Sequence, residues 1–265
     1  MNRGLAQDTH TQGFRPVEKP VEEYALRLGD DALVLSHRLT EWLTRAPDLE
    51  EEVALANIAL DLLGQARFLL GFAGQSTAQD ENLLAFRRGE RDYRNALITE
   101  LPNGDFGHTV IRLLFFSVYQ RALYRALAGS ADTALAAFAG KALTEVEYHV
   151  EYAAGWAVRL GDGTEESHDR AAAAVAQLWP YTAELFSSDE LVGALAAEGV
   201  AADPAVLHAE WSEQVESVLA RATLGVAPTT TWRPGGGRRG LHTEALGYLL
   251  AEMQSVHRAH PGAAW

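Results

Sequence analysis

Residues 51–72 read EEVALANIALDLLGQARFLLGF. The run is rich in strong helix formers and has no proline. Apolar side chains fall at nearly every angle around it, the pattern of a helix buried at the centre of a bundle. Asn57, Asp61 and Gln65 recur at four-residue steps and so lie on one stripe. Leu60, Leu62 and Leu63 crowd Asp61, so its carboxylate is expected inside, where it needs a partner.

Working outward, residues 1–19 are polar and aperiodic and read as a loose arm. Pro20 with Glu22 and Glu23 opens a helix whose apolar stripe is Ala25, Leu28, Ala32, Leu35, Leu39 and Trp42. Asp48 with Glu51 forms a capping-box pattern and starts the central helix. Residues 80–98 suggest one or two short helices in a long connection. Asp105 is placed to cap a helix over 106–127, and a fourth long helix runs over 132–160. Two helix pairs joined by one long crossover are the ferritin-like arrangement. The fold class expected is therefore all-α, a ferritin-like four-helix bundle with accessory C-terminal helices. It is read as one domain over 20–265, with core helices at about 20–160 and accessory helices at about 164–265. Among the accessory elements, Thr164 caps a helix closed by Pro180, Ser187 with Glu190 starts a second, and Asp203-Pro204 starts a third. Residues 225–240, GVAPTTTWRPGGGRRG, form a loop before a last helix.

The chain has 265 residues, 48% hydrophobic, with a formal net charge of −14. Such a chain gains nothing from counterion release on DNA or RNA, so nucleic acid is not an expected partner. It contains no cysteine, which excludes disulfides, thiolate metal sites and a cysteine nucleophile. The first residues lack the apolar run of a signal peptide, and no later segment reads as a membrane span. A cytoplasmic location and no membrane partner are the expectations.

A di-iron carboxylate bundle needs a Glu from each of two helices and a Glu-x-x-His from each of the other two. Asp61 stands at one acid position, but three residues on is Gly64. Glu145 stands at another, and three residues on is Tyr148; His149 is one residue further, about 100° around the helix. The helix over 106–127 offers Arg112, Phe115, Phe116 and Tyr119 but no acid along its middle. The first helix offers Asp30 and Asp31. The expectation is a metal-free core in which Asp61, Glu145 and His149 form a satisfied polar network with Arg112. No catalytic, cofactor-binding or metal-binding residue is assigned. Arg238 and Arg239 follow three glycines and could meet an anion, although a flexible surface loop is the plainer reading; the run lacks the Lys-Ser/Thr of a phosphate-binding loop. His242 and Glu244 read as cap or surface groups, and His168 and His208 as solvated. Trp211, Trp232 and Trp265 lie outside the core helices and read as aromatics spare for docking.

Seven stretches together carry a family resemblance: YALRLGDDALVLSHRL, LANIALDLLGQARFLL, LPNGDFGHTVIRLLF, YHVEYAAGWAVRLGDGTEESHDR, LWPYTAELF, RRGLHTEALGYLLAEMQ and the PGAAW tail. They run from Tyr24 to Trp265 and resemble the C subunit family of the bacterial ring 1,2-phenylacetyl-CoA epoxidase, a multicomponent monooxygenase of phenylacetate breakdown. The resemblance implies a ferritin-like fold and a structural, non-catalytic subunit. Its implied partner is a catalytic A subunit that holds the di-iron centre, with bridging and reductase subunits further candidates. NADPH supplies electrons through the reductase, and self-association is expected when the chain is alone. The alternatives from other classes are a free-standing di-iron oxygenase and a helical acyl-CoA-binding protein using Arg238 and Arg239.

Overall fold

The computed structural model describes residues 14–225, 231–261 and 263. Among these the chain is helical, with no strand. The helices are α1 (Pro20–Thr40), α2 (Leu49–Ala73), α3 (Glu81–Phe86), α4 (Leu97–Glu100), α5 (Phe106–Leu127), α6 (Thr133–Gly161), α7 (Glu165–Thr182), α8 (Glu190–Ala197), α9 (Pro204–Arg221), α10 (Glu244–Met253) and α11 (Ser255–Ala259). The caps explain most of the boundaries. Asp48 accepts from the Glu51 amide, Asp105 from His108, Asp132 from Ala134 and Leu135, Thr164 from Ser167, and Asp203 from Ala205. Each satisfies an amide that the first turn leaves without a partner. Two boundaries differ from expectation. Asp189, not Ser187, caps α8. Pro180 lies inside α7, which continues to Thr182 before a short 3₁₀ turn.

α1 packs along α2 and α5 along α6, with the crossover of α3 and α4 between the two pairs. α1 and α2 approach closely at Gly29, where an added Cβ would stand 2.9 Å from Leu70 Cδ2. α7 and α9 then cover α5. The centre of the bundle is therefore α5, not α2. Of the 22 residues of α5, 17 are buried, against 9 of 25 in α2. Leu49, Val53, Leu60 and Phe68 of α2 are exposed and fall along one stripe. The buried side of α2 is met by α1, and α6 meets its edge through Asp61, Gln65 and Phe68, the last stacked on Phe138, while Leu49, Val53 and Leu60 stay exposed. α2 is also long and apolar enough to pass as a membrane span by composition, contrary to the sequence expectation. Trp211 is not a spare aromatic: it is buried, donates to the Phe115 carbonyl at 2.8 Å and sits against Phe115 and Trp179. Trp232 is exposed, and Trp265 lies outside the described residues.

The crossover and the C-terminal segment are held to α1 by charge. Asp30 and Asp31 are adjacent and both buried. Asp30 takes both terminal nitrogens of Arg88 and the Arg94 amide. Asp31 takes the two terminal nitrogens of Arg238 at 3.0 and 2.7 Å and the Ala96 amide at 2.7 Å. Arg88 is fully buried, and its guanidinium also lies 4.2 Å from the centre of the Tyr93 ring. The residues around Arg238 are therefore not a flexible loop. Glu184 accepts from the amides of Gly236 and Gly237 on one oxygen and Leu97 on the other. Gly237 lies so close to the crossover that an added Cβ would stand 2.0 Å from the Asn95 carbonyl oxygen. The described part of the N-terminal arm is anchored too: the Arg15 amide donates to Gln79 Oε1 at 2.9 Å, and Gln79 Nε2 donates back to the Arg15 carbonyl at 2.8 Å. Residues 1–13 of that arm lie outside the described residues.

His242 is not a surface cap. Its side chain and that of Glu100 are both fully buried, with Nδ1 2.7 Å from Glu100 Oε2 and Nε2 3.0 Å from the Tyr93 carbonyl oxygen. Both ring nitrogens face acceptors, so only the doubly protonated ring satisfies both. Burial works against that charge, but the hydrogen bond and charge of Glu100, with the Tyr93 carbonyl, outweigh it and raise the His242 pKa above 6.5.

These contacts have measurable consequences. Asp30→Ala leaves Arg88 charged and buried, and is expected to cost about 3–5 kcal/mol in urea unfolding; an unchanged midpoint would mean the pair is solvated. His242 has a folded pKa raised above its unfolded value. Its contribution is thus complete below about pH 6.5 and is lost as pH rises through the folded value. Wild type should lose stability over that rise relative to His242→Gln, and parallel pH–stability curves for the two would show that His242 is neutral in the fold.

Candidate functional site

The position where a ferritin-like bundle would place a metal lies between α2, α5 and α6. Asp61 and Gln65 stand one turn apart on α2, and Glu145 and His149 one turn apart on α6. The two helices face each other in two rungs. His149 Nε2 is 3.0 Å from Asp61 Oδ2, and Gln65 Nε2 donates to Glu145 Oε2 at 3.0 Å. From the second rung the network continues into α5. Gln120 Nε2 donates to Gln65 Oε1 at 2.9 Å and the Tyr124 hydroxyl donates to the same oxygen at 3.1 Å. Burial is the first cause pushing the Tyr124 hydroxyl above its usual pKa, so it stays a donor at neutral pH. A third link joins the same helices nearer the start of α2: the Tyr152 hydroxyl donates to Glu51 Oε2 at 2.5 Å. This explains why Glu51 does not close a capping box with Asp48.

Two features of this network differ from the sequence expectation. Asp61 is not deep in the core: about a third of its side chain is exposed (33%), while His149 is enclosed (1%). α2 turns its stripe of Leu49, Val53 and Leu60 outward, and Asp61 sits at the edge of that stripe. Arg112 is not in the network. It is buried near the start of α5, where it donates to the Leu101 carbonyl and to Asn103 Oδ1. Among the described residues no carboxylate meets it directly; burial, then repulsion from Arg38, lowers its pKa to about 9. Asp61, Glu145 and His149 are thus brought to one place and Arg112 to another. Sequence reasoning missed Gln65, Gln120 and Tyr124 as the groups that link α2 to α5. The four-residue step from Asp61 to Gln65 and from Gln120 to Tyr124 was the available signal.

These residues do not fit a di-iron centre. Among the described residues no group of three or more His, Asp or Glu side chains is placed to hold a metal. Gly64 lies on the surface of α2, with open space where a side chain would begin, and Tyr148 is exposed on α6. Glu145 is engaged by an amide donor and the Nε2 of His149 by Asp61. Iron would need those lone pairs, and three or more further donors besides. His149 Nδ1 is buried without a partner. Arg238 is committed to Asp31, so an acyl-CoA reading that needs it as a free cation loses one of its two arginines. His168 also has a structural job, with Nδ1 2.7 Å from the Gly161 carbonyl oxygen, whereas His208 is exposed against Phe186.

The expected effect of Asp61→Ala is accordingly modest. One hydrogen bond to an enclosed ring is lost at a site open to water, and the loss should be about 1 kcal/mol rather than the several of a buried ion pair. Thermal unfolding measures this; a drop as large as that of Asp30→Ala would mean that Asp61 is a core residue after all.

Known proteins share both the sequence and the architecture. Residues 6–265 match the family model described as phenylacetic acid catabolic protein. The chain is 48% identical over 243 residues to the C subunit of the 1,2-phenylacetyl-CoA epoxidase of Escherichia coli strain K12, covering 91% of this chain and 98% of that protein. Among solved structures it is similar to a Synechococcus protein with aldehyde deformylating oxidase activity, with a TM-score of 0.58 at 19% identity, over 79% of this chain and 94% of the other. At that identity the likeness concerns the fold alone, and it is the ferritin-like bundle. Matched over nearly its whole length by both the model and the bacterial relative, the chain belongs to the phenylacetic acid catabolic protein family.

Proposed function

We propose that this chain is a non-catalytic structural subunit of a multicomponent phenylacetyl-CoA 1,2-epoxidase. The observation that carries this reading is the likeness to the C subunit of an epoxidase along almost the full length of both chains. The donor set between α2, α5 and α6 supports the non-catalytic part. Two acids and one histidine are present there, and each is engaged with a neighbour rather than converging on a common point. The oxidation chemistry then belongs to a partner subunit with a di-iron centre, with electrons from NADPH delivered through a reductase. A bridging subunit is a further candidate partner, and the assembly is cytoplasmic.

The surface of α2 supports a life in an assembly. Leu49, Val53, Leu60 and Phe68 recur on one exposed stripe of a helix whose other side is core. Contiguous apolar surface of that kind is what an obligate partner covers. In the isolated chain the same stripe favours self-association. A free-standing di-iron oxygenase would need its own ligand set, and the engaged Asp61, Glu145 and His149 argue against it.

Reconstitution tests the proposal. The cognate di-iron, bridging and reductase components should epoxidise phenylacetyl-CoA with this chain present and lose most activity, or the soluble di-iron subunit itself, when it is omitted. Full activity without it would reject the structural role. Turnover by this chain with the reductase alone would reject the non-catalytic assignment.

A further inference from the structure

A cavity of about 400 Å³ lies between α1, the start of α8, the start of α9 and the loop around residues 233–239. It is separate from the α2–α6 network and plays no part in the assembly reading. Its walls divide by chemistry. Leu28, Leu123, Leu185 and Leu207 are buried and apolar, and Tyr24 and Tyr119 add two enclosed rings. Toward the loop stand four arginines, Arg27, Arg233, Arg238 and Arg239, against two carboxylates, Glu184 and Asp189.

Those two carboxylates are already spent. Glu184 accepts from the amides of Gly236, Gly237 and Leu97 at 2.7–2.8 Å. Asp189 caps α8 through Val192 and takes Arg27 at 2.7 Å. Arg238 is matched by Asp31. Arg233 and Arg239 are exposed, and neither side chain has a carboxylate or hydrogen-bond partner among the described residues. An acidic chain of net charge −14 thus leaves two unmatched cations at the mouth of a cavity that has one apolar wall. Both ends of the cavity have a natural complement. Guanidinium groups recognise carboxylate and phosphate oxygens through paired N–H donors. The leucine and tyrosine walls suit an apolar body, and the volume is at the small end of ligand pockets.

We propose that this cavity binds a small amphiphilic organic anion, its carboxylate or phosphate head on Arg233 and Arg239 and its apolar body against Leu28, Leu123 and Leu207. Arg238 does not touch the head. Its role is to hold the loop on Asp31 so that Arg239 stays at the mouth.

Isothermal titration calorimetry on the full chain tests this with octanoate and octyl phosphate, and with acetate and inorganic phosphate as heads without tails. Saturable binding of octanoate or octyl phosphate is expected, and whichever binds identifies the head. The matching head alone should bind at least about tenfold more weakly, since most of the buried apolar contact is gone. The Arg233→Ala/Arg239→Ala double variant changes only exposed side chains, and should weaken binding at least about tenfold through lost charge-assisted hydrogen bonds. Val192→Trp, which places a ring at the half-buried rim, should block binding independently. No saturable binding of either tailed anion would overturn the proposal. So would acetate or inorganic phosphate binding as tightly as its tailed counterpart, or tailed-anion affinity unchanged in the double arginine variant.

Discussion

Two neighbouring carboxylates in the middle of α1 set the terms for the rest of the molecule. Asp30 and Asp31 point about 100° apart around the helix axis, so one meets the crossover through Arg88 and the other the C-terminal loop through Arg238. Each also takes a crossover amide, from Arg94 and Ala96. Neither pair is a gain simply because it is charged: two ions removed from water repay their desolvation only when every remaining lone pair is met. Here that condition is met by backbone amides of the very segments being anchored. Segments that also pack apolar residues on the core, Leu84, Tyr93 and Ile98 from the crossover and Leu246 and Leu249 from the C-terminal segment, are thereby fixed in one register. Glu184 and Glu100 repeat the device at the next level, Glu184 gathering the Gly236–Gly237 amides and Glu100 the His242 ring and the Thr243 amide. The buried charges of this protein therefore lie mainly where the bundle meets its additions.

That distribution explains which parts of the fold are legible in the sequence. The long helices are legible because their periodicity and caps are local: Asp105 and Thr164 lie within three residues of the amides they satisfy. Burial is less legible. α2 reads as the centre because it is apolar all round, yet a helix facing solvent with a stripe of Leu49, Val53 and Leu60 has the same composition as one enclosed on every side. α5 carries Arg112, Ser117 and Gln120 and reads as more polar, yet it is the enclosed helix. The difference lies in who the neighbours are, and α7 and α9, which cover α5, follow it by some forty to a hundred residues in the chain.

The candidate site divides along the same line. Gly64 and Tyr148 can be judged as non-ligands from spacing alone, since a missing donor is a local fact. The partners of the remaining polar groups cannot. Asp61 and His149 are 88 residues apart, and Arg112 reads as their partner only because it is a cation on a facing helix. Its position near the start of α5 instead aims it at Leu101 and Asn103, nine to eleven residues away. His242 misleads for a similar reason: its carboxylate partner is 142 residues earlier in the chain.

What occupies the middle of the bundle is a set of amide and phenol hydrogen bonds in place of converging carboxylates. The substitution has a physical consequence. Several acids around one point repel one another unless a cation or shared protons hold them. Gln65 removes that requirement by presenting both a donor and an acceptor. Its NH₂ meets Glu145, and its carbonyl oxygen receives Gln120 and Tyr124. Three helices are joined through one neutral side chain, with a single carboxylate at the margin where water reaches it. These hydrogen bonds hold the three helices together through the chain's own groups. An apolar residue of similar size at position 65 would leave Gln120 and Tyr124 only each other as partners in the core and would take the amide donor from Glu145, and an unmet buried polar group is costly. This is why a helix as apolar as α2 keeps a glutamine on its buried side.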